Sequence, residues 1–150
     1  MANYTAADVG RLRAETDAPL MECKAALDEA DGDFDRAKQI LREKGKAAAA
    51  KRADRTTAEG VVAFAKSADG KTVAGVVLES ETDFVARNDQ FIATAQKIAE
   101  MVRDGAAGAD PLTLSADGKT VNDLIVEAVG KIRENIRLAK AVRVTKKSAA

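Results

Sequence analysis

The side chains that usually carry catalysis are scarce in this sequence of 150 residues. It contains no histidine and a single cysteine, Cys23. It therefore lacks the commonest general acid and base, and it cannot assemble a zinc site from the usual ligands. Its 24 basic and 24 acidic residues balance, so no net charge draws the whole chain toward nucleic acid. The composition predicts a binding protein rather than an enzyme, with no catalytic residue, no metal and no cofactor.

The stretch LESETDFVARND, residues 78–89, is the segment best suited to binding a partner. An apolar run ends at Leu78, and Phe84 follows within acidic, turn-forming sequence, although the chain holds only four phenylalanines and one tyrosine. An exposed aromatic side chain set among polar residues is typical of an interface anchor. Whether Phe84 is buried or exposed therefore decides what this segment can do.

Two interpretations of Phe84 remain open on the residues alone. In the first, Ser80 or Asp83 caps the next helix and Phe84 packs inward as a hydrophobic staple. In the second, Asn88 is the cap, Phe91 fills the core, and Phe84 points outward at a corner between a strand and a helix.

Three short helices are predicted over residues 5–45. They begin at a capping box that starts with Thr5, at Pro19 and at Asp33, and Gly45 is placed to end the third. The predicted core positions of these helices recur at helical spacing: Val9, Leu12, Leu20, Cys23, Leu27, Phe34, Ala37, Ile40 and Leu41.

Residues 46–58 read as a basic linker between two domains. The segment KAAAAKRADRTTA has no apolar face beyond alanine, and its four basic residues outnumber its one acid. It is either a solvated tether, helical in part, or a contact for phosphate groups whose affinity would depend on salt.

Beyond the linker the pattern predicts a β-β-α-α-β unit. Two apolar runs flank Asp69-Gly70, which favours a hairpin. A helix over about 89–103, a loop-like stretch over 104–118 and a second helix capped by Thr120 follow. The predicted core positions of the two helices are Phe91, Ile92, Ala95, Ile98, Ala99, Val102, Leu124, Ile125, Ala128, Val129 and Ile132.

The predicted fold class is therefore α+β, with helices on one face of a small antiparallel sheet. Phe34, Phe64 and Phe91 are expected to supplement a core of small aliphatic side chains. The final strand is expected to bury one face, which carries Ile136, Leu138, Val142 and Val144. The predicted domains are residues 1–45, the linker 46–58, residues 59–145 and a flexible tail over 146–150.

Four stretches resemble landmarks of the elongation factor Ts family and occur in the same order as in that family. They are distributed along nearly the whole of residues 5–144. The resemblance implies that the N-terminal helices form a ubiquitin-associated-like (UBA-like) domain and that the later unit is a core-like α+β subdomain. The four stretches are LRAETDAPLMECKAALDEADGDFDRAKQILREKG, TTAEGVV, ETDFVARND and VGKIRENIRLAKAVRV.

The resemblance implies a translation factor of protein biosynthesis that exchanges the guanine nucleotide of elongation factor Tu, in its GDP-bound and nucleotide-free forms. In the family the N-terminal domain contacts the nucleotide-binding domain of that partner. The matching positions here are Arg13, Leu20, Met21 and Lys24.

The resemblance also implies a role for the TDFV tetrapeptide, residues Thr82, Asp83, Phe84 and Val85. This segment would enter beside the Mg²⁺ and phosphate site of the partner. Phe84 would wedge between helices of the partner, and Asp83 would add polar contacts. The groups that hold Mg²⁺ would be displaced, and GDP would be released.

The sequence departs from the family pattern at several positions. Asp17, Pro19 and Leu20 stand where the family has Gly, Gly and Met, and we expect the first two to stiffen that turn. Arg133 stands at a glycine position, where the backbone conformation can require glycine. The family usually continues beyond the equivalent of Val144 into a second core subdomain and a helical hairpin, so the chain resembles a shortened form.

Three functions are consistent with these residues: an exchange factor, a module that binds elongation factor Tu without exchange, and a ribosome- or RNA-associated protein. The third would use the linker and the basic C-terminal residues, but these lack the interleaved aromatics that stack on bases. We expect no direct contact with nucleic acid, no membrane span and a cytoplasmic location. The apolar face of the last strand could be an unpaired edge at which two copies of the chain pair.

Overall fold

The computed structural model of the chain describes residues 2–147. Its helices and strands confirm the predicted α+β class. Two compact units are formed, one by the chain up to Ala53 together with Val126–Arg133, and the other by Asp54–Ile125 together with the chain from Glu134 on. The elements in chain order are α1 (Ala6–Thr16), α2 (Leu20–Glu29), α3 (Phe34–Arg52), β1 (Glu59–Lys66), β2 (Thr72–Ser80), α4 (Asp83–Ala86), α5 (Asp89–Asp104), β3 (Ser115–Ala116), β4 (Lys119–Thr120), α6 (Val121–Ile132) and β5 (Arg137–Thr145).

The helices of the first unit begin at the predicted caps. The Thr5 hydroxyl accepts from the Asp8 N–H at 3.2 Å, and the Thr5 N–H donates to the Asp8 carboxylate at 2.9 Å, which completes a capping box. The Asp33 carboxylate accepts from the Arg36 N–H at 3.1 Å. The buried core of α1, α2 and α3 consists of Val9, Leu12, Cys23, Ala26, Leu27, Ala37 and Ile40.

The prediction that Gly45 ends the third helix is wrong, because α3 continues to Arg52. The four alanines at 47–50 have the highest helix propensity, and together they outweigh the cost of one glycine, about 1 kcal/mol. The glycine serves close packing instead: an ideal Cβ at Gly45 would lie 3.2 Å from Cγ1 of Val126. The first part of the predicted linker is therefore helical, while the division into domains stays a prediction.

The predicted hairpin is confirmed. β1 and β2 pair antiparallel, and β5 adds to the other side of β2, so the sheet order is β1-β2-β5. In the connecting loop the Gly70 N–H donates to the Ser67 carbonyl at 2.9 Å, and the Ser67 N–H donates to the Thr72 carbonyl at 2.8 Å. Gly70 has φ 72°, a conformation that glycine adopts without steric cost.

Helix α5 packs on the inner face of this sheet. Most of its predicted core positions are buried, but Ile92 is 43% exposed, so its placement in the core is wrong. Phe64 is also exposed, on the outer face of β1, although it was expected to supplement the core. The buried side chains of α5, β1 and β2 are Ala63, Ala65, Ala74, Val76, Leu78, Ser80, Phe91, Ala95, Ile98, Ala99, Met101 and Val102.

The last strand carries a β-bulge that the alternating pattern did not predict. Ala139 has no partner on β2, because the register shifts by one residue at that point. An extra residue moves every following side chain to the other face. Val142 and Val144 are therefore 46% and 67% exposed on the outer face, and the prediction that they share a buried face with Leu138 is wrong.

The stretch over 104–118 is less irregular than predicted. It contains a short 3₁₀ helix at Pro111–Thr113, and β3 pairs with β4 as a two-stranded hairpin. Asp117 and Gly118 have φ 54° and 79°, as a tight turn between antiparallel strands requires. The predicted cap of α6 is confirmed, because the Thr120 hydroxyl accepts from the Asp123 N–H at 3.0 Å. Residues 148–150 of the predicted tail lie outside the part of the chain that the structure describes.

Candidate partner-binding sites

Phe84 lies on the one-turn helix α4, between the end of β2 and the start of α5, and it is 83% exposed. The outward orientation is therefore confirmed, and the hydrophobic-staple interpretation is wrong. The Asn88 side chain caps α5 by accepting from the N–H groups of Gln90 and Phe91 at 2.9 and 3.1 Å. Phe91 is completely buried, so the core is filled without Phe84.

The cap of α4 is Thr82 rather than Ser80 or Asp83. The Thr82 hydroxyl accepts from the Val85 N–H at 3.4 Å. Ser80 is completely buried, and its hydroxyl donates to the Thr82 carbonyl at 3.0 Å. Ser80 therefore supports the end of β2 from inside, and it does not cap a helix.

A carboxylate from a distant part of the chain closes this corner. One oxygen of Glu134 accepts from the backbone N–H groups of Glu81 and Thr82, at 3.1 and 3.0 Å, and its other oxygen accepts from the Thr82 hydroxyl at 2.7 Å. The Glu81 carboxylate in turn accepts from the Asn135 N–H at 2.6 Å. Glu134 was not predicted from the sequence, because its partners lie 52 and 53 residues away along the chain and no local pattern links them.

The four predicted residues of this corner differ in exposure. Phe84 is exposed, whereas Thr82, Asp83 and Val85 are half-buried. The Asp83 carboxylate lies 3.8 Å from the guanidinium of Arg87. A partly exposed pair of this kind contributes little to stability. The corner therefore offers one apolar ring on a support fixed by hydrogen bonds.

The second predicted set lies in the first unit, at the end of α1 and the start of α2. Arg13, Leu20, Met21 and Lys24 are all exposed, Leu20 to 48% and Met21 to 70%. The prediction that Leu20 belongs to the core is therefore wrong, and the buried stripe of α2 begins at Cys23. Leu20 and Met21 are two adjacent apolar residues whose side chains are both exposed, as a protein partner could use.

Two departures from the family pattern fall where the backbone is left-handed. Asp17 has φ 58° and Arg133 has φ 65°. This conformation costs a non-glycine residue about 1–2 kcal/mol, and aspartate tolerates it better than most. Each side chain makes an ion pair within its own unit: Asp17 with Lys131, and Arg133 with Glu22 at 2.9 Å. The backbone at position 133 therefore has the left-handed conformation that favours glycine, although arginine occupies it.

The outer face of the sheet is a further apolar surface. Phe64 crosses Gly75 of the neighbouring strand, and an ideal Cβ on that glycine would lie 3.0 Å from the ring. The face suits the predicted pairing of two copies, which stays a prediction. Its exposed apolar side chains are Val62, Phe64, Val73, Val142 and Val144.

None of the helices within residues 2–147 is both long enough and apolar enough to cross a bilayer. Over the same described part of the chain, no three histidine, cysteine or carboxylate side chains converge as metal ligands would.

The chain matches the family model described as Elongation factor TS over residues 81–150. It is 48% identical over 144 residues to elongation factor Ts of Saccharopolyspora erythraea. The aligned region covers 93% of this chain and 50% of that protein. It is 51% identical over 146 residues to the proteins of that name from Burkholderia mallei and Burkholderia thailandensis. The aligned region covers 95% of this chain and 49% of each of those proteins. The chain thus spans about half the length of these relatives. Over that length it belongs to the elongation factor Ts family.

Proposed function

We propose that this chain is a guanine nucleotide exchange factor of translation, which binds elongation factor Tu carrying GDP and accelerates the release of GDP. Membership of the elongation factor Ts family supports the identity of the partner. The single observation that carries the mechanism is the exposure of Phe84, 83% on a corner held by hydrogen bonds.

The proposed mechanism is differential binding. The segment Thr82–Val85 enters beside the Mg²⁺ and phosphate site, and Phe84 is buried between helices of the partner. Burial of such a ring contributes about 1.5–3 kcal/mol. If the ring is buried only in the nucleotide-free complex, linkage requires that GDP binding weaken by the same factor, roughly 10- to 150-fold. No covalent step occurs, so a chain without histidine can perform it.

A second candidate function is binding to elongation factor Tu without nucleotide release. The exposure of Leu20 and Met21 favours it, because these side chains offer a docking surface in the first unit that is separate from the corner in sequence. In that case the cations Arg13 and Lys24 would add steering and specificity rather than most of the affinity.

The release of a fluorescent GDP analogue from elongation factor Tu tests the proposal and separates the two candidates. We expect faster release with the wild-type chain, and a loss of most of that acceleration with Phe84→Ala. The matched control is Phe64→Ala, which removes another exposed ring, 65% exposed on the outer sheet face, and should leave the acceleration unchanged.

Binding of the wild-type chain with no change in release would favour the binding-only candidate. A loss of acceleration in Phe64→Ala but not in Phe84→Ala would contradict the proposal and assign the function to the outer sheet face.

A further inference from the structure

We infer that Glu134 is a positioning residue for the corner that carries Phe84. The effect of Glu134 on nucleotide exchange rests on the proposed function, whereas its effect on the conformation of the corner does not. Glu134 occupies the short connection between α6 and β5 and is half-buried. Its carboxylate accepts three hydrogen bonds, all from Glu81 and Thr82, at 3.1, 3.0 and 2.7 Å. Bonds of this kind to an ionised acceptor are among the stronger hydrogen bonds in proteins.

The bond between the Thr82 hydroxyl and Glu134 determines the direction of the hydroxyl proton. An ionised carboxylate can only accept, so the hydroxyl must donate to Glu134. A lone pair of the same oxygen is then left to accept from the Val85 N–H at 3.4 Å. The carboxylate thereby holds the cap of α4 in the orientation that this helix needs.

Helix α4 depends on such support, because it has only four residues, Asp83–Ala86. Isolated helices much shorter than about 12 residues are not stable in water. A further tertiary anchor is the buried side chain of Ala86, which is 8% exposed. With the N-terminal end of α4 released, Phe84 would sample several orientations, and part of its binding free energy would be used to order the segment.

A hydrogen bond in the opposite direction also joins the end of β2 to the connection before β5. The Glu81 carboxylate accepts from the Asn135 N–H at 2.6 Å, while the Glu81 N–H donates to Glu134. The Asn135 side chain donates to the Arg55 carbonyl at 2.8 Å, which ties the connection before β5 to the start of the second unit. Two strand ends that are distant in sequence thus hold each other, and the TDFV segment emerges from this junction.

The variant Glu134→Gln tests the inference with little change in shape. If the amide oxygen continues to accept from the two backbone N–H groups, the amide nitrogen faces the Thr82 hydroxyl and cannot accept its proton. The hydroxyl must then turn, and its bond to Val85 is disturbed. The matched control is Glu79→Gln, since Glu79 also accepts from a hydroxyl, that of Thr57 at 3.0 Å, and its ion pair is with Arg137 at 3.3 Å rather than with the corner.

Amide hydrogen exchange of the chain alone is the first readout, and it needs no partner. We expect the N–H groups of Thr82 and Val85 to exchange about tenfold faster in Glu134→Gln, as the loss of one charge-assisted bond implies. The N–H groups of Val76 and Leu78 in the middle of β2 should be unchanged. The same pattern in Glu79→Gln, or no change at the corner in Glu134→Gln, would overturn the inference.

The second readout is GDP release with Glu134→Gln in the wild-type and Phe84→Ala backgrounds. A residue that acts through Phe84 should lower the acceleration severalfold in the first background and leave it unchanged in the second. Equal losses in both backgrounds would show that Glu134 acts independently of the ring, and would overturn its positioning role. If the wild-type chain accelerates no release while the corner amides still respond to Glu134→Gln, the proposed function is wrong and the positioning role of Glu134 is supported.

Discussion

Phe84 and Phe91 lie seven residues apart in one segment and have opposite environments: Phe84 is 83% exposed, and Phe91 is completely buried. The difference arises because two caps divide the segment into two helices. Thr82 begins α4 and Asn88 begins α5, so the two rings do not share a helical face. Exposure of Phe84 is thus a consequence of local hydrogen bonding together with a core that Phe91 already fills.

Position 133 allows a direct test of backbone strain. Both Arg133→Gly and Arg133→Ala remove the exposed ion pair with Glu22, but only glycine adopts φ 65° without steric cost. We expect the glycine variant to have the larger free energy of unfolding, by about 1 kcal/mol. Urea unfolding followed by circular dichroism measures the difference. An alanine variant as stable as the glycine variant would show that the left-handed conformation is not strained here.

The helix glycines Gly10 and Gly45 differ in the space around them. An ideal Cβ at Gly10 meets nothing within 4 Å, whereas one at Gly45 would lie 3.2 Å from Val126. Gly10→Ala should therefore raise the free energy of unfolding by about 0.5–1 kcal/mol through helix propensity. Gly45→Ala should raise it less, or lower it, because the side chain of Val126 must shift. The same unfolding measurement applies, and equal gains at both positions would contradict the close packing of Gly45.

The hairpin between β1 and β2 should weaken in acid. Two hydrogen bonds hold the pKa of Asp69 below its ordinary value of 3.8. The larger effect comes from the Ser67 hydroxyl and the smaller from the Lys71 N–H. Because the folded pKa is the lower one, the contribution of Asp69 to stability is fully present above the unfolded pKa and is lost as pH falls through the folded pKa.

The expected window therefore lies below about pH 4. Asp69→Asn cannot titrate, so its free energy of unfolding should fall less than that of the wild type between about pH 5 and about pH 3. Urea unfolding at the two pH values gives the comparison. Parallel losses in both chains would exclude Asp69 as a source of the acid sensitivity.

The thiol of Cys23 should react slowly in the folded chain. It is completely buried, it donates to the Ala18 carbonyl at 3.6 Å, and burial raises its pKa above the ordinary value of 9.0. Since the thiolate is the reactive form, we expect alkylation by a maleimide to be slow in buffer and fast in denaturant. Fast alkylation without denaturant would indicate that the first unit opens readily between α1 and α2.

The helix caps could be predicted from neighbouring residues, whereas the bulge of the last strand and the bonds of Glu134 depend on contacts between residues distant in sequence. The caps at Thr5, Asp33 and Thr120 were predicted from residue type, and Asn88 was one of two alternatives, because a cap depends on neighbours within three positions. The bulge at Ala139 could not be predicted, since it depends on which residues of β2 the last strand meets. The hydrogen bonds that Glu134 accepts from Glu81 and Thr82 were missed for the same reason.

The repeated heptapeptide SADGKTV shows this limit in a single sequence. It occurs at residues 67–73 and again at 115–121. In the first copy residues 67–71 form the loop between β1 and β2, with positive φ at Gly70, and Thr72 and Val73 begin β2. In the second it forms the short strands β3 and β4, with positive φ at both Asp117 and Gly118. Asp-Gly therefore predicts that the chain turns, but the flanking strands determine the type of turn.

The affinity of the chain for elongation factor Tu, measured with and without GDP on the partner, tests the central claim most directly. Calorimetric titration of the wild-type chain should give tighter binding to the nucleotide-free partner, and Phe84→Ala should reduce that preference by roughly 10- to 150-fold while changing the affinity for the GDP form little. A ratio of the two affinities that is the same in the wild type and in Phe84→Ala would contradict the claim that this ring distinguishes the two states.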